Sequence, residues 1–127
     1  MKISEVSKKY DISIDTLRYY EKAGLLPNIK KNSSGIREYT DMDCERVEFI
    51  KCMRSAGMPV ERLSKYIALC EQGEETAEER RSMLIQQRAE LIEKRDTIQR
   101  SIDKLDYKIN IYYNTLRAKE NCLHKTK

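Results

Sequence analysis

Thr16-Leu17-Arg18-Tyr19-Tyr20-Glu21-Lys22-Ala23-Gly24 is the stretch that decides the fold. It follows Ser13, whose hydroxyl suits a helix N-cap, and it ends on Gly24, a residue that stops helices by accepting a left-handed backbone. The helix bounded in this way begins at Ile14. Ile14 and Leu17 face a core, which leaves Asp15, Thr16, Arg18, Tyr19 and Lys22 on the outer face. Just upstream, Ile3, Val6 and Tyr10 share one face of another short helix, with Ser4 as its expected cap, and Asp11-Ile12-Ser13 breaks the pattern between the two. Two short helices joined by a tight turn make a helix-turn-helix, whose second member normally enters the DNA major groove.

Downstream, Leu25-Leu26-Pro27 and Ile36-Arg37-Glu38-Tyr39 are short extended pieces flanking a turn rich in Asn, Ser, Gly and Lys. They predict a small β-hairpin, or wing. Thr40-Asp41-Met42-Asp43 has the form of a capping box, with Asp in place of the usual Glu, and opens a third helix with Val47, Phe49, Ile50 and Met53 inward. Gly57 ends it. Pro59 suits the first position of a fourth helix that carries Val60, Leu63, Ile67 and Cys70 along one side and closes at Gly73. No Pro or Gly follows Gly73, so the remainder reads as one long helix. Leu84, Leu91, Ile98, Leu105 and Tyr112 recur every seven residues, and Ile102, Ile109 and Leu116 supply a second seam position. In the earlier half that position holds Arg81, Arg88 and Arg95, while Ile85 and Ile92 widen the stripe. That half is expected to pack against something other than a coiled-coil mate, such as a partner chain's head.

Composition narrows the class. Only 39% of the 127 residues are hydrophobic and 36% are charged, so a partner chain that completes the core is expected. A net charge of +4 is too mild to indicate nucleic acid by itself, and its distribution says more. Residues 1–40 carry eight Lys/Arg against five Asp/Glu, while residues 74–127 mix both signs densely, as on a solvated helix. No apolar run suits a membrane span or a signal peptide, which predicts a cytoplasmic protein with no membrane partner. The four cysteines are then expected to be mostly reduced. No two are spaced as CxxC, so a closed zinc site within one chain is not expected.

Three motifs resemble one family. Thr16 to Leu26 looks like the recognition-helix signature of MerR regulators, Gly35-Ile36-Arg37-Glu38-Tyr39 is similar to their wing motif, and Phe49 to Met58 to the end of their third helix. The match covers residues 1–73 closely, and the helix that follows fits the family's antiparallel dimerisation helix. The resemblance implies a mainly α fold: a winged helix-turn-helix DNA-binding head with an accessory helix pair (1–73), a long antiparallel coiled-coil dimerisation helix (74–118) and a C-terminal tail (119–127). It also implies a homodimer on a pseudo-palindromic promoter, where bending and underwinding of an overlong spacer realigns the DNA for RNA polymerase. Arg18 and Tyr19, with Thr16 and Lys22, are the expected contacts of the recognition helix. Arg37 and Tyr39 match family phosphate contacts on the wing, and Lys30, Lys31, Asn32 and Ser33 are placed to reach the backbone.

For the signal, Cys52 leads. It lies beside Lys51 and two residues before Arg54, and nearby cations favour a reactive thiolate, although Glu45 and Glu48 oppose this. Lys51-Cys52-Met53-Arg54-Ser55-Ala56-Gly57 is similar to a thiol-sensing branch of the family that responds to aldehydes and other electrophiles. The competing role is a small buried hydrophobe. Cys70 is expected in the core, and Cys44 carries no special signal. Cys122 and His124 are weak candidates for a metal site of the kind metal-sensing relatives carry, and a small-ligand pocket between head and coiled coil is a further alternative. No cofactor is expected. With a single His and no glycine-rich phosphate loop, no catalytic constellation is visible, so the chain is not expected to be an enzyme. A pure coiled-coil adaptor would leave the Arg- and Tyr-bearing helix without a purpose.

Overall fold

The computed structural model describes residues 1–125, with side chains over residues 1–120. Helices α1 (Ile3–Tyr10) and α2 (Ile14–Lys22) are followed by strands β1 (Lys30–Lys31) and β2 (Arg37–Glu38). Then come α3 (Asp41–Ser55), α4 (Val60–Gln72), a 3-10 turn (Glu74–Thr76) and α5 (Ala77–Lys125). The element order is that of a winged helix-turn-helix followed by a long helix.

Local chemistry accounts for most boundaries. Ser13 Oγ accepts from the Thr16 amide at 3.1 Å, which caps α2. Thr40 and Asp43 complete the capping box of α3: Thr40 Oγ1 accepts from the Asp43 amide at 3.1 Å, and Asp43 Oδ2 accepts from the Thr40 amide at 2.9 Å. At α1 the cap lies at Lys2 rather than Ser4, and the Glu5 carboxylate accepts from the Lys2 amide at 3.1 Å. Pro59 stands one residue before α4, as its cap. Gly24 has φ 85°, and a side chain there would meet Ser64 Oγ of α4 at 3.3 Å. The end of α2 therefore rests directly on α4, where Ser64 also donates to the Ala23 carbonyl.

The wing differs from expectation in its first strand. Leu25 and Leu26, expected to be extended, are buried in the core instead, and Lys30–Lys31 form β1. Asn32 builds the turn: its side-chain oxygen accepts from the amides of Ser34 and Ile36. The chain start joins the hairpin, with Met1 and Tyr39 exchanging backbone hydrogen bonds.

One apolar cluster unites these elements: Val6, Leu17, Tyr20, Leu25, Leu26, Tyr39, Val47, Ile50, Met58, Leu63, Tyr66 and Ile67, with Phe49 stacked on Tyr66. The compact unit extends to Arg88. Its last turns carry Met83 and Leu84, which pack on the same cluster. The start of α5 thus packs on something other than a coiled-coil mate, as expected, and that surface includes its own chain's head. Gln87, only 3% exposed, explains why. Its amide donates to the Ala56 carbonyl at the end of α3 (3.0 Å) and accepts from Arg62 of α4 at 2.6 Å, so a polar side chain buried in the seam is satisfied on both sides.

A second unit begins at Ala89 and is helical. Here the heptad residues Leu91, Ile98, Ile102, Leu105, Ile109, Tyr112 and Leu116 are all exposed. An apolar stripe of this length on a solvated helix is a surface built for burial.

Candidate nucleic-acid interface and thiols

Helix α2 sorts its side chains as its period requires. Leu17 and Tyr20 are buried, while Asp15, Arg18, Tyr19 and Lys22 are exposed on the opposite face, Tyr19 at 53%. Thr16 is half-buried, and its hydroxyl accepts from Ser13 at 2.8 Å, so it belongs partly to the cap. The face formed by Arg18, Tyr19 and Lys22 offers a fork-shaped donor, a phenol and an ammonium group to one side of the head.

The wing adds cations in a telling register. Lys30 stands opposite Glu38, a balanced pair, but Lys31 stands opposite Arg37. Like charges directly across a two-stranded ladder destabilise it unless an anion lies between or near them. One such anion is Glu21 of α2: Arg37 Nε donates to Glu21 Oε2 at 2.7 Å. The other carboxylate oxygen accepts from Tyr39 Oη at 3.0 Å.

This arrangement corrects the expected role of Tyr39. Tyr39 is 2% exposed, with its hydroxyl spent on Glu21, so it supports the wing from inside and does not face a phosphate. Burial, followed by the Glu21 charge and hydrogen bond, pushes its phenol far above the ordinary range. Asn32, too, is largely committed to its own turn. Glu21, which joins Arg37 and Tyr39, was not singled out in the sequence. Its signal was present: it lies four residues after Leu17, so it borders the buried face of α2, where a carboxylate requires a partner.

The thiols are distributed unevenly. Cys52 is exposed on α3, Cys44 is buried and Cys70 is half-buried. The cations flanking Cys52 in sequence point elsewhere: Lys51 Nζ donates to the Tyr10 carbonyl and Arg54 NH1 to the Met58 carbonyl. Burial as a core hydrophobe does not apply to Cys52. Its carbonyl accepts from the Ala56 amide, one turn below, and the Ala56 carbonyl is the group held by Gln87. Cys70 has Arg80 NH1 4.0 Å from its sulfur. Among the described residues no group of three or more His, Cys, Asp or Glu could hold a metal. Cys122 and His124 lie outside the described side chains. Among the described residues no helix is long and apolar enough to cross a membrane.

With this geometry in place, comparison decides the family. The model for the MerR HTH family regulatory protein matches residues 1–70, and a second model, for MerR DNA binding, matches residues 44–107. The chain belongs to the MerR family. A MerR-family transcriptional regulator from Listeria monocytogenes has a solved structure that is 40% identical, with a TM-score of 0.89 over 99% of this chain and 96% of that one. HiNmlR, described as a MerR family regulator lacking the sensor domain and bound to promoter DNA, is 30% identical, with a TM-score of 0.79 over 89% and 90%. Among curated proteins, the HTH-type transcriptional regulator AdhR of Bacillus subtilis is 45% identical over 93 residues. That match spans 73% of this chain and 66% of the relative, just under two thirds of its length. The MerR chain thus has a DNA-binding helix-turn-helix head followed by a long helix, and its relatives are transcriptional regulators.

Proposed function

We propose that this MerR protein is a homodimeric, non-enzymatic regulator of the cytoplasm that bends and underwinds promoter DNA for RNA polymerase, and that modification of Cys52 switches it. The observation that carries the DNA-binding part is the joined cationic surface: Arg18, Tyr19 and Lys22 exposed on α2, with Lys31 and Arg37 side by side on the wing. Lys30 extends it. The exposed seam of Ile98, Ile102, Leu105, Ile109, Tyr112 and Leu116 supports pairing with a second copy, in which two antiparallel helices hold two heads at a fixed separation.

The switch uses position. Cys52 is solvent-accessible and one turn from Ala56, where α3 is fastened to α5 through Gln87. When a small aldehyde reacts, the Cys52 sulfur bonds to the carbonyl carbon and the thiol proton ends on the former carbonyl oxygen. A hemithioacetal forms with no oxidant and no leaving group. The added bulk and hydroxyl bias the α3–α5 junction, and through it the spacing of the heads.

The test is titration of a promoter duplex at several salt concentrations. A regulator binds its operator with a steep inverse dependence on salt and prefers it over random duplex; an adaptor shows neither.

A further inference from the structure

We infer that Glu21 is a positioning residue for DNA binding: its carboxylate clamps the wing to the recognition helix, so that Arg37 and the Arg18/Tyr19/Lys22 face meet the duplex as one rigid surface. This rests on Arg37 being a DNA contact.

The wing cannot hold its own orientation. Its ladder is two residues on each side, and an isolated hairpin is marginal even when longer. Its inner pair, Lys31 and Arg37, repel one another. The chain start supports its backbone through Met1 and Tyr39, and α2 holds its side chains. Glu21 uses both carboxylate oxygens, one on Arg37 Nε at 2.7 Å and one on Tyr39 Oη at 3.0 Å, so two side chains flanking the last residue of the hairpin are tied to a single point on the helix. The Glu21 side chain is 15% exposed and that of Arg37 is 35% exposed. The carboxylate is therefore tucked beneath the arginine, which still reaches solvent. A planar guanidinium held through one edge is oriented as well as neutralised, an arrangement the flexible ammonium of Lys does not reproduce.

A carboxylate close to a DNA-binding surface has two opposing effects. By charge alone it repels phosphates, so its removal raises affinity for any duplex. As a clamp it organises Arg37, so its removal lowers affinity for the operator. The sign of the effect separates the two roles.

The experiment measures binding of the full-length protein to operator and to random duplex for wild type, E21Q, E21A, R37A and the E21A/R37A double variant, each checked for cooperative unfolding. Loss of the clamp is expected to lower operator affinity about tenfold in E21A, from weakening a charge-assisted contact. E21Q keeps the side chain's shape and an acceptor for Arg37; it is expected to fall between E21A and wild type, and it carries the test if E21A does not fold. Affinity for random duplex is expected to hold or rise, so the specificity ratio drops. Because Glu21 acts through Arg37, the double variant is expected to bind the operator no more weakly than R37A alone. Higher operator affinity in E21Q, or losses that add in the double variant, overturns the clamp. R37A binding as tightly as wild type overturns the underlying assignment of Arg37, and the clamp with it.

Discussion

Replacing Gln87 by Met, which keeps its length and removes its polar atoms, should loosen the root of α5 from the head. Gln87 makes two directional contacts, to the Ala56 carbonyl at 3.0 Å and from Arg62 at 2.6 Å, and is 3% exposed. A neutral hydrogen bond contributes about 1 kcal/mol and one to a charged group about 1.5–3 kcal/mol. Arg62 has a further interaction that remains, so the net loss for Gln87→Met is about 2 kcal/mol. For a chain of this size that lowers the melting temperature by roughly 8 °C. The assay is thermal and urea unfolding at one fixed protein concentration, since association adds to apparent stability. Gln87→Ala should cost more, because it also leaves a cavity. A Gln87→Met protein within about 0.5 kcal/mol of wild type would refute the latch, because the polar groups would then be equally well served without it.

Other substitutions separate the remaining roles. Arg18→Ala should weaken operator binding by about 1–3 kcal/mol and relax preference at one base step, read by titrating operators with single base changes; uniform weakening would assign Arg18 to phosphate instead. Lys31→Ala should reduce the slope of log affinity against log salt by about one, with little change in sequence preference. Ile102→Asp, on the exposed seam, should shift the protein toward monomer in sedimentation velocity, and an unchanged dimer would place the interface elsewhere. Tyr39 has a phenol pKa raised above its ordinary value near 10, so its contribution to stability is complete below that pH and is lost as pH rises through the higher folded value. Urea unfolding between about pH 8 and 11 should therefore show a decline above pH 10 that is smaller in Tyr39→Phe.

Much of the head was legible because its punctuation is chemical. Ser13, Thr40 with Asp43, Gly24 and Gly73 mark helix ends by mechanisms that need only neighbouring residues, and each acts as expected. Apart from the α1 cap, which falls at Lys2 instead of Ser4, the sequence fell short where a distant partner decides. Leu25 and Leu26 are an apolar pair that suits a strand, yet the core beneath α2 claims them. Tyr39 has an aromatic ring and a hydroxyl suited to phosphate, and only the tertiary placement of Glu21 shows that the hydroxyl is already used. At the α5 root, Arg81 and Arg88 interrupt the seam, and the sequence did not say which surface lies beneath it. The interruption is real, and what fills it is Met83, Leu84 and Gln87 on the same chain's head. In the last two cases a polar residue bordering an apolar face, Glu21 or Gln87, marked the missed contact.

The most direct test of the proposed switch is promoter transcription in vitro with wild type and Cys52→Ser, each with and without a small aldehyde. A thiol-switched regulator predicts induction by aldehyde in the wild type, its loss in Cys52→Ser, and operator affinity unchanged by the substitution. Equal induction in both proteins, or none in either, would contradict Cys52 as the sensor.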